Sequence, residues 1–365
     1  MNQILCCFYL ILFSGCFLWK SDSLKPEKIA QLKIGSTTDT IQADLSNNSL
    51  MNFPIHIPVG PDRIYISDFR NSVLKVFFRN GRLDFLIGRK KIDETSRFVT
   101  APVQNIGLAE LGSDEDLYLQ SRITEQKESP EEKRDYFHQE SGYFTFRSPM
   151  SVPSYIFHFS RENKLMEILG KGGINSPPFS FIDSMHSGSG RKLFVVHRES
   201  EELILGMFEK GNLTGQLKES EMSSGFEEEK TKYRIALEKI LPEYYGEYAL
   251  AAFTFSDISD QRFKFRRIYK YYYNKTKKKE LLKEGQDPAE ILFSIREDGS
   301  FYIWETEKNG NSVRLQLHDR NGIHIQNRKL KFFQPRNLWR ETYAGKSGIY
   351  SVRIESGHME LYEWK

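Results

Sequence analysis

One segment of the sequence concentrates cationic and aromatic side chains. It spans residues 263–279 and reads FKFRRIYKYYYNKTKKK. Ammonium and guanidinium groups bind the oxygens of polyanions, and tyrosine rings stack on planar ligands. The alternative is an alternating strand followed by a lysine-rich hairpin, because lysines at a sheet edge oppose edge-to-edge aggregation. The polyanion interpretation predicts a binding surface formed by Lys264, Arg266, Arg267, Lys270, Lys277, Lys278 and Lys279.

The histidines and serines do not match the spacing of a known catalytic or metal motif. The chain has eight histidines and no HExxH sequence, and the closest pairs are His186/His197 and His318/His324. The run Ser187-Gly188-Ser189-Gly190 precedes a predicted strand, whereas a nucleophile elbow lies between a strand and a helix. The sequence therefore predicts no catalytic residue, metal ion or cofactor.

The three cysteines, Cys6, Cys7 and Cys16, all lie within the first sixteen residues. The first fifteen residues carry no charged side chain, and residues 4–13 form an uninterrupted apolar run of ten. Such a run has the length of a signal-peptide core and is too short for a bilayer, which takes about 20 residues. We predict a signal peptide over residues 1–15 and an exported mature chain without disulfides.

The end of this run, Phe13-Ser14-Gly15-Cys16, resembles the lipobox of bacterial lipoproteins, in the loose form found in spirochaetes. The resemblance implies that the thiol of Cys16 receives a diacylglyceryl group and that residues 16–28 tether the protein to a membrane. It also implies a location in the cell envelope, either periplasmic or on the outer surface. A plain secretory signal and an uncleaved N-terminal anchor are the alternatives.

Composition favours a folded, β-rich body. The chain is 39% hydrophobic, 28% charged and 13% aromatic, with 27 Phe and 18 Tyr. Aromatic side chains fit the pleated surface of a sheet, so the fold class is predicted to be all-β. The formal net charge of +3 argues against a dedicated nucleic-acid binder, which has a stronger basic footprint.

A repeated meander of short strands indicates the architecture. Residues 61–88 contain three β segments, and Asn80-Gly81 between the second and third predicts a type I′ hairpin turn. Weaker copies follow at intervals of 48 to 76 residues. Their opening strands lie near Tyr65, Tyr118, Phe194, Ala251, Tyr302 and Tyr350.

Six such units predict a six-bladed β-propeller over residues 29–365, with a pair of β-sandwiches or a solenoid as alternatives. The last unit lacks its outermost strand because the sequence ends at Lys365. Residues 29–35 are predicted to supply that strand and so to close the ring, which removes the free edges of an open sheet.

The first unit resembles one NHL repeat. The matching residues are Ile64-Tyr65-Ile66-Ser67-Asp68, Asn71, Val76-Phe77 and Asn80-Gly81. Together with the loose lipobox, this layout is similar to that of the propeller lipoproteins of leptospires and related spirochaetes, most of which have no assigned activity. The resemblance implies envelope location more than it implies a chemistry.

Two insertions are predicted, near residues 121–150 and 221–245. The first is highly charged and reads as an exposed excursion. In the second, Tyr233, Leu237, Ile240 and Leu241 share one helical face and Pro242 would end the helix. We predict an amphipathic helix of about three turns, either a connection between blades or a lid over the pore.

These predictions combine into a lipid-anchored propeller that acts as a binding or scaffold module at the cell envelope. Its expected partners are the membrane, through the lipid, and a protein or a polyanionic envelope or host ligand, with no nucleic acid. The alternative is a hydrolase-like or lactonase-like propeller enzyme with carboxylates at the pore, for which Asp68 and its counterparts in other blades are candidates.

Overall fold

The computed structural model describes residues 22–41, 57–69, 71–91, 96–123, 153–200, 202–273, 279–307, 312–333, 339–345, 348–355 and 357–365. The predicted signal peptide (1–15), Cys16, most of the first insertion, and both Lys277 and Lys278 lie outside these residues.

Within the described residues, the strands group into six blades around one axis. The chain begins with β1 (Asp22–Leu24) and β2 (Pro26–Lys33). Blade I contains β3 (Arg63–Asp68), β4 (Val73–Phe78), β5 (Leu83–Gly88) and β6 (Phe98–Thr100). Blade II contains β7 (Asn105–Leu111), β8 (Leu117–Arg122), β9 (Ser154–Phe159), β10 (Leu165–Gly170) and the short β11 (Gly173–Ile174). Blade III contains β12 (Phe181–Ser187), β13 (Lys192–Glu199), β14 (Glu202–Glu209) and β15 (Asn212–Lys218).

Two short helices connect blades III and IV, α1 (Glu219–Ser223) and α2 (Glu227–Lys230). Blade IV contains β16 (Tyr233–Pro242), β17 (Tyr248–Asp257), β18 (Phe263–Tyr272) and β19 (Glu280–Gly285). Blade V contains β20 (Glu290–Ile295), β21 (Phe301–Thr306), β22 (Ser312–His318) and β23 (His324–Lys331). Blade VI contains β24 (Trp339–Ala344), β25 (Ile349–Glu355) and β26 (His358–Trp364). No helix in the described part of the chain is long and apolar enough to span a membrane.

The ring closes through the N-terminal strand. β2 pairs antiparallel with β26 and becomes the fourth strand of blade VI, which confirms the prediction for residues 29–35. The strand starts earlier than predicted, at Pro26, and β1 adds a parallel strand to the outer edge of β23. Residues 22–28 therefore belong to the propeller, and the predicted tether over 16–28 is too long.

Hydrophobic packing explains why the sheets form a ring. Six buried clusters each join two neighbouring blades. The cluster that closes the circle packs Ile64 and Phe77 of blade I against Val352 and Leu361 of blade VI. Both faces of each blade are thus covered by another blade, so burial of apolar area stabilises the closed ring as a whole.

The predicted amphipathic helix over the second insertion is wrong in most of its length. Only Glu227–Lys230 is helical, and Tyr233–Pro242 forms the first strand of blade IV. The register against β17 shifts between Leu237 and Lys239. The shift inserts one extra residue into the strand, where side chains otherwise alternate between the two faces. As a result, Tyr233, Leu237 and Ile240 are spaced like residues on one face of a helix.

The Asn80-Gly81 hairpin is confirmed, but the predicted turn type is wrong. Of these two residues only Gly81 has a positive φ, of 84°, whereas a type I′ turn needs two. The register shift between Val76 and Phe77 shows that a bulge accompanies the turn. Glycine is required here, since a Cβ at this position would lie 2.4 Å from the carbonyl oxygen of Gln31.

In blades II to VI, the predicted opening strands are the second strands of their blades. An additional strand precedes each of them, namely β7, β12, β16, β20 and β24. Contacts between β7 and β12, β16 and β20, and β20 and β24 place these first strands around the axis. The residues closest to the axis were therefore outside the predicted repeat.

Candidate functional site

The innermost strands bring two ionisable side chains to the axis from different blades. Lys239 lies on β16 of blade IV and Glu341 lies on β24 of blade VI, with β20 of blade V between the two strands. Both side chains are half-buried. We refer to Lys239 and Glu341 as the axial pair.

Local backbone geometry places Lys239 at the axis. It follows the register shift in β16, and bulges of this kind redirect side chains at functional sites. Its Nζ donates a hydrogen bond of 2.8 Å to the carbonyl oxygen of Phe293 on β20. The same nitrogen lies 5.8 Å from the centre of the Phe293 ring. The lysine thus reaches from blade IV to the inner strand of blade V.

Burial moves the pKa values of both members of the axial pair toward neutrality. It lowers the pKa of Lys239 to about 8, although the carboxylates of Glu238 and Glu341 oppose the change. It raises the pKa of Glu341 to about 7, against the opposing effect of Lys239. Groups that titrate near pH 7 can exchange protons with a ligand, and such groups cluster at functional sites.

The axial pair was missed in the sequence because neither inner strand was predicted. Lys239 fell within the predicted helix, and Glu341 lay between two predicted units. The available signal was the alternation over Tyr233, Ile235 and Leu237, which indicates a strand.

The structure gives the described cations of the predicted polyanion surface carboxylate or aromatic neighbours within the protein. Arg266 is buried and pairs with Glu238, and Lys270 is buried with its Nζ 3.7 Å from Glu280. The exposed Lys264 lies 3.4 Å from Asp257.

The two remaining described cations lie beside aromatic rings. Arg267 bridges Glu229 at 3.0 Å and Glu284 at 2.7 Å, and its guanidinium lies 4.7 Å from the Phe265 ring centre. The Nζ of Lys279 lies 3.7 Å from the ring centre of Phe226. These contacts join blade IV to the helical connection that precedes it, and a polyanion-binding role for the segment stays a prediction.

Asp68, the candidate of the enzyme interpretation, lies in a buried ion pair within blade I. Its Oδ2 is 2.9 Å from the Nζ of Lys75, which also donates to the carbonyl oxygen of Thr40 at 2.6 Å. Asp68 further accepts hydrogen bonds from the backbone and side-chain amides of Asn71. These partners give Asp68 a structural role in the turn between β3 and β4.

A buried charged cluster occupies blade II. The Nε2 of His158 lies 2.6 Å from Asp116, its Nδ1 lies 2.8 Å from Glu167, and its ring stacks on Tyr118 at 4.4 Å. Burial alone raises the pKa of Asp116, but the hydrogen bond and charge of His158 outweigh burial, so the pKa lies below its usual value. Among the described residues, no three His, Cys, Asp or Glu side chains form a group that could hold a metal ion.

Several solved structures resemble this chain in overall structure. No family model matches this chain, and no curated protein matches it in sequence. The β-propeller domain of the Trilobed protease from Pyrococcus furiosus, described as having an open velcro topology, is similar with a TM-score of 0.44 and 12% identity, over 85% of this chain and 80% of that one.

Two further solved structures are similar over most of their length. A protein of unknown function from Dyadobacter fermentans has a TM-score of 0.42 and 9% identity, over 93% of this chain and 99% of that one. The polysaccharide lyase Uly1 has a TM-score of 0.41 and 10% identity, over 95% and 88% of the two chains. Matches this distant assign no activity or ligand to the chain.

Proposed function

We propose that this protein is an exported β-propeller, anchored through a lipid on Cys16, that acts as a binding or scaffold module at the cell envelope. The observation that carries the proposal is the position of the N-terminal strands. β1 lies on the outer edge of blade V and β2 is the outermost strand of blade VI. A chain that arrives from an anchor therefore joins the ring at its periphery and leaves the axis accessible.

Chain length supports an arrangement close to the membrane. Five residues lie between Cys16 and Asp22, where β1 begins, so six residue steps join the two. Such a segment spans at most about 20 Å, since an extended chain covers about 3.3–3.6 Å per residue. The lipid would hold the junction of blades V and VI near the bilayer, with blades II and III on the far side of the ring.

Radiolabelled palmitate in cells that express the native chain tests the anchor. We expect label in the wild-type protein and none in Cys16→Ala. Cys7→Ala is the matched control, because that cysteine leaves with the predicted signal peptide and its removal should not change labelling. Label that persists in Cys16→Ala, or that never appears in the wild type, would contradict the lipid anchor.

The axial pair favours a second candidate function, a hydrolase with its site at the axis. A carboxylate whose pKa is about 7 can accept a proton from water, and a neighbouring ammonium can stabilise a developing oxyanion. Glu341 would be the general base and Lys239 the electrostatic group. This chemistry needs both side chains at one substrate, and the two inner strands bring them toward the same axis.

Hydrolysis of 4-nitrophenyl acetate and γ-butyrolactone distinguishes the two functions. An enzyme should show turnover that rises through about pH 7, and Glu341→Gln should lower it by about 100-fold or more. Glu305→Gln in blade V removes a carboxylate that pairs with Arg314 and should leave turnover unchanged. Wild-type protein without turnover, or equal rates in both variants, would exclude this role for Glu341.

A further inference from the structure

A small cleft opens on the outer side of blade III, where it faces blade II. Its volume is about 240 Å³, and its lining comes from the turn between β10 and β11 and from β13, β14 and β15. The lining residues are Lys171, Gly172, His197, Glu199, Ile204, Leu213, Gln216 and Lys218. Because β14 and β15 are the third and fourth strands of their blade, the cleft is separate from the axial pair.

The floor of the cleft is a row of three residues on adjacent strands. Ile204 on β14 lies directly opposite His197 on β13 and Lys218 on β15. Side chains of directly paired residues point to the same face of a sheet and lie about 5 Å apart at Cβ. An imidazole and an ammonium group therefore flank one apolar side chain at the base of the cleft.

His197 is buried without a hydrogen-bond partner for one of its nitrogens. The residue is 4% exposed, and its Nδ1 has no partner within the described part of the chain. The edge of the ring contacts Phe179, with 5.1 Å between the ring centres. A buried polar atom left unpaired is destabilising, so it is an indication of a group that binds there.

The charges around the cleft favour an anion. Lys171 and Glu199 pair with each other at 3.1 Å, so they contribute no net charge. Lys218 makes no ion pair within 4 Å among the residues that the structure describes, so the lining holds one more positive than negative side chain. The carboxylate whose charge interacts with Lys218 is that of Glu202, which does not line the cleft. Burial lowers the pKa of His197 to about 4, with Glu199 opposing and Lys171 adding to the effect, so the ring is neutral at pH 7 and can donate one N–H.

We propose that this cleft binds a small monoanionic organic acid, whose carboxylate contacts Lys218 and His197 and whose apolar part covers Ile204 and Leu213. Leu213 is 36% exposed, and a ligand that covers it removes apolar surface from water. The volume is below the range of about 300–1,000 Å³ that is typical for drug-sized ligands, which limits the ligand to a few carbon atoms beyond the carboxylate.

Nuclear magnetic resonance of the imidazole of His197 tests the proposal on the whole protein. The probe is sodium 4-methylpentanoate, and its amide, 4-methylpentanamide, is the uncharged control. We expect a saturable shift of the His197 signals with the acid and none with the amide. We also expect the pKa of His197 to rise in the presence of the acid, because a neighbouring anion favours the imidazolium form.

Two lysine variants separate the proposed contact from a general effect of charge. Lys218→Gln should weaken binding of the acid by about tenfold, as expected for loss of a charge-assisted hydrogen bond. Lys164→Gln removes an exposed lysine that does not line the cleft and should bind like the wild type. Absence of a saturable shift, equal binding of acid and amide, or equal affinity of both variants would overturn the proposal.

Discussion

Two histidines in neighbouring blades are almost equally buried and have opposite surroundings. His158 in blade II is 1% exposed and has a carboxylate at each ring nitrogen. His197 in blade III is 4% exposed, lines a cleft and has an unpartnered Nδ1 among the described residues. Burial alone therefore does not assign a role to an ionisable group. Complete pairing indicates a structural group, and incomplete pairing beside a cavity indicates a binding group.

The largest loss of stability is expected from replacing His158, the fully paired histidine. His158→Phe leaves Asp116 and Glu167 as neighbouring carboxylates without their shared partner. Loss of one member of a buried charged cluster costs about 3–5 kcal/mol, so the free energy of unfolding in urea should fall by that amount. His197→Phe is the matched control and should change it by less than about 1 kcal/mol at pH 7, since no ion pair is broken. Equal losses in the two variants would contradict the distinction.

The pH dependence of stability should report the titration of His197, the incompletely paired histidine. The folded pKa of His197 is about 4, below its usual 6.5, so the unfolded chain takes up a proton first as the pH falls. Stability contributed by this residue is therefore lost between about pH 6.5 and pH 4, by about 3 kcal/mol in total. In urea titrations at several pH values, His197→Phe should show a shallower decline over this window than the wild type. An unchanged slope would show that His197 is not the group that titrates.

The sequence allowed the ring to be predicted because its signals are local. Apolar runs and turns such as Asn80-Gly81 recur in each blade, and β4 begins and ends at the predicted residues, Val73 and Phe78. The closing strand could also be predicted, since the last unit lacked one strand and the N-terminal region offered a matching apolar pattern.

The innermost strands and the ion pairs could not be predicted in the same way. The first strands of blades III to VI each contain a register shift, which interrupts the alternation that identifies a strand. The charged cluster of blade II joins Asp116 to His158 across 42 residues of sequence. Such pairings depend on the fold itself, so a lysine-rich or histidine-containing segment reveals its charge but not its partner.

Glu341 of the axial pair should have a smaller effect on stability than His197, and its pH dependence should have the opposite sign. The pKa of Glu341 is raised to about 7, so the folded state holds its proton more tightly, and stability falls as the pH rises from about 4.5 to 7. Glu341→Gln removes the ionisation and should stabilise the protein at pH 8 by about 1–2 kcal/mol, with Lys239 offsetting part of the gain. At pH 5 the two proteins should differ little. A variant that is less stable at pH 8 would indicate that Glu341 is a structural partner of Lys239.

The smallest effect concerns Arg267, which is paired like His158 but only partly buried. Its side chain is 21% exposed, and it bridges Glu229 and Glu284. Water and salt screen such pairs, so Arg267→Gln should lower the free energy of unfolding by about 0.5–1 kcal/mol, and by less in 1 M salt. Heparin binding by the same variant should be unchanged if the arginine serves the fold. Lost heparin binding with unchanged stability would instead support the predicted polyanion surface and place Arg267 with the binding groups.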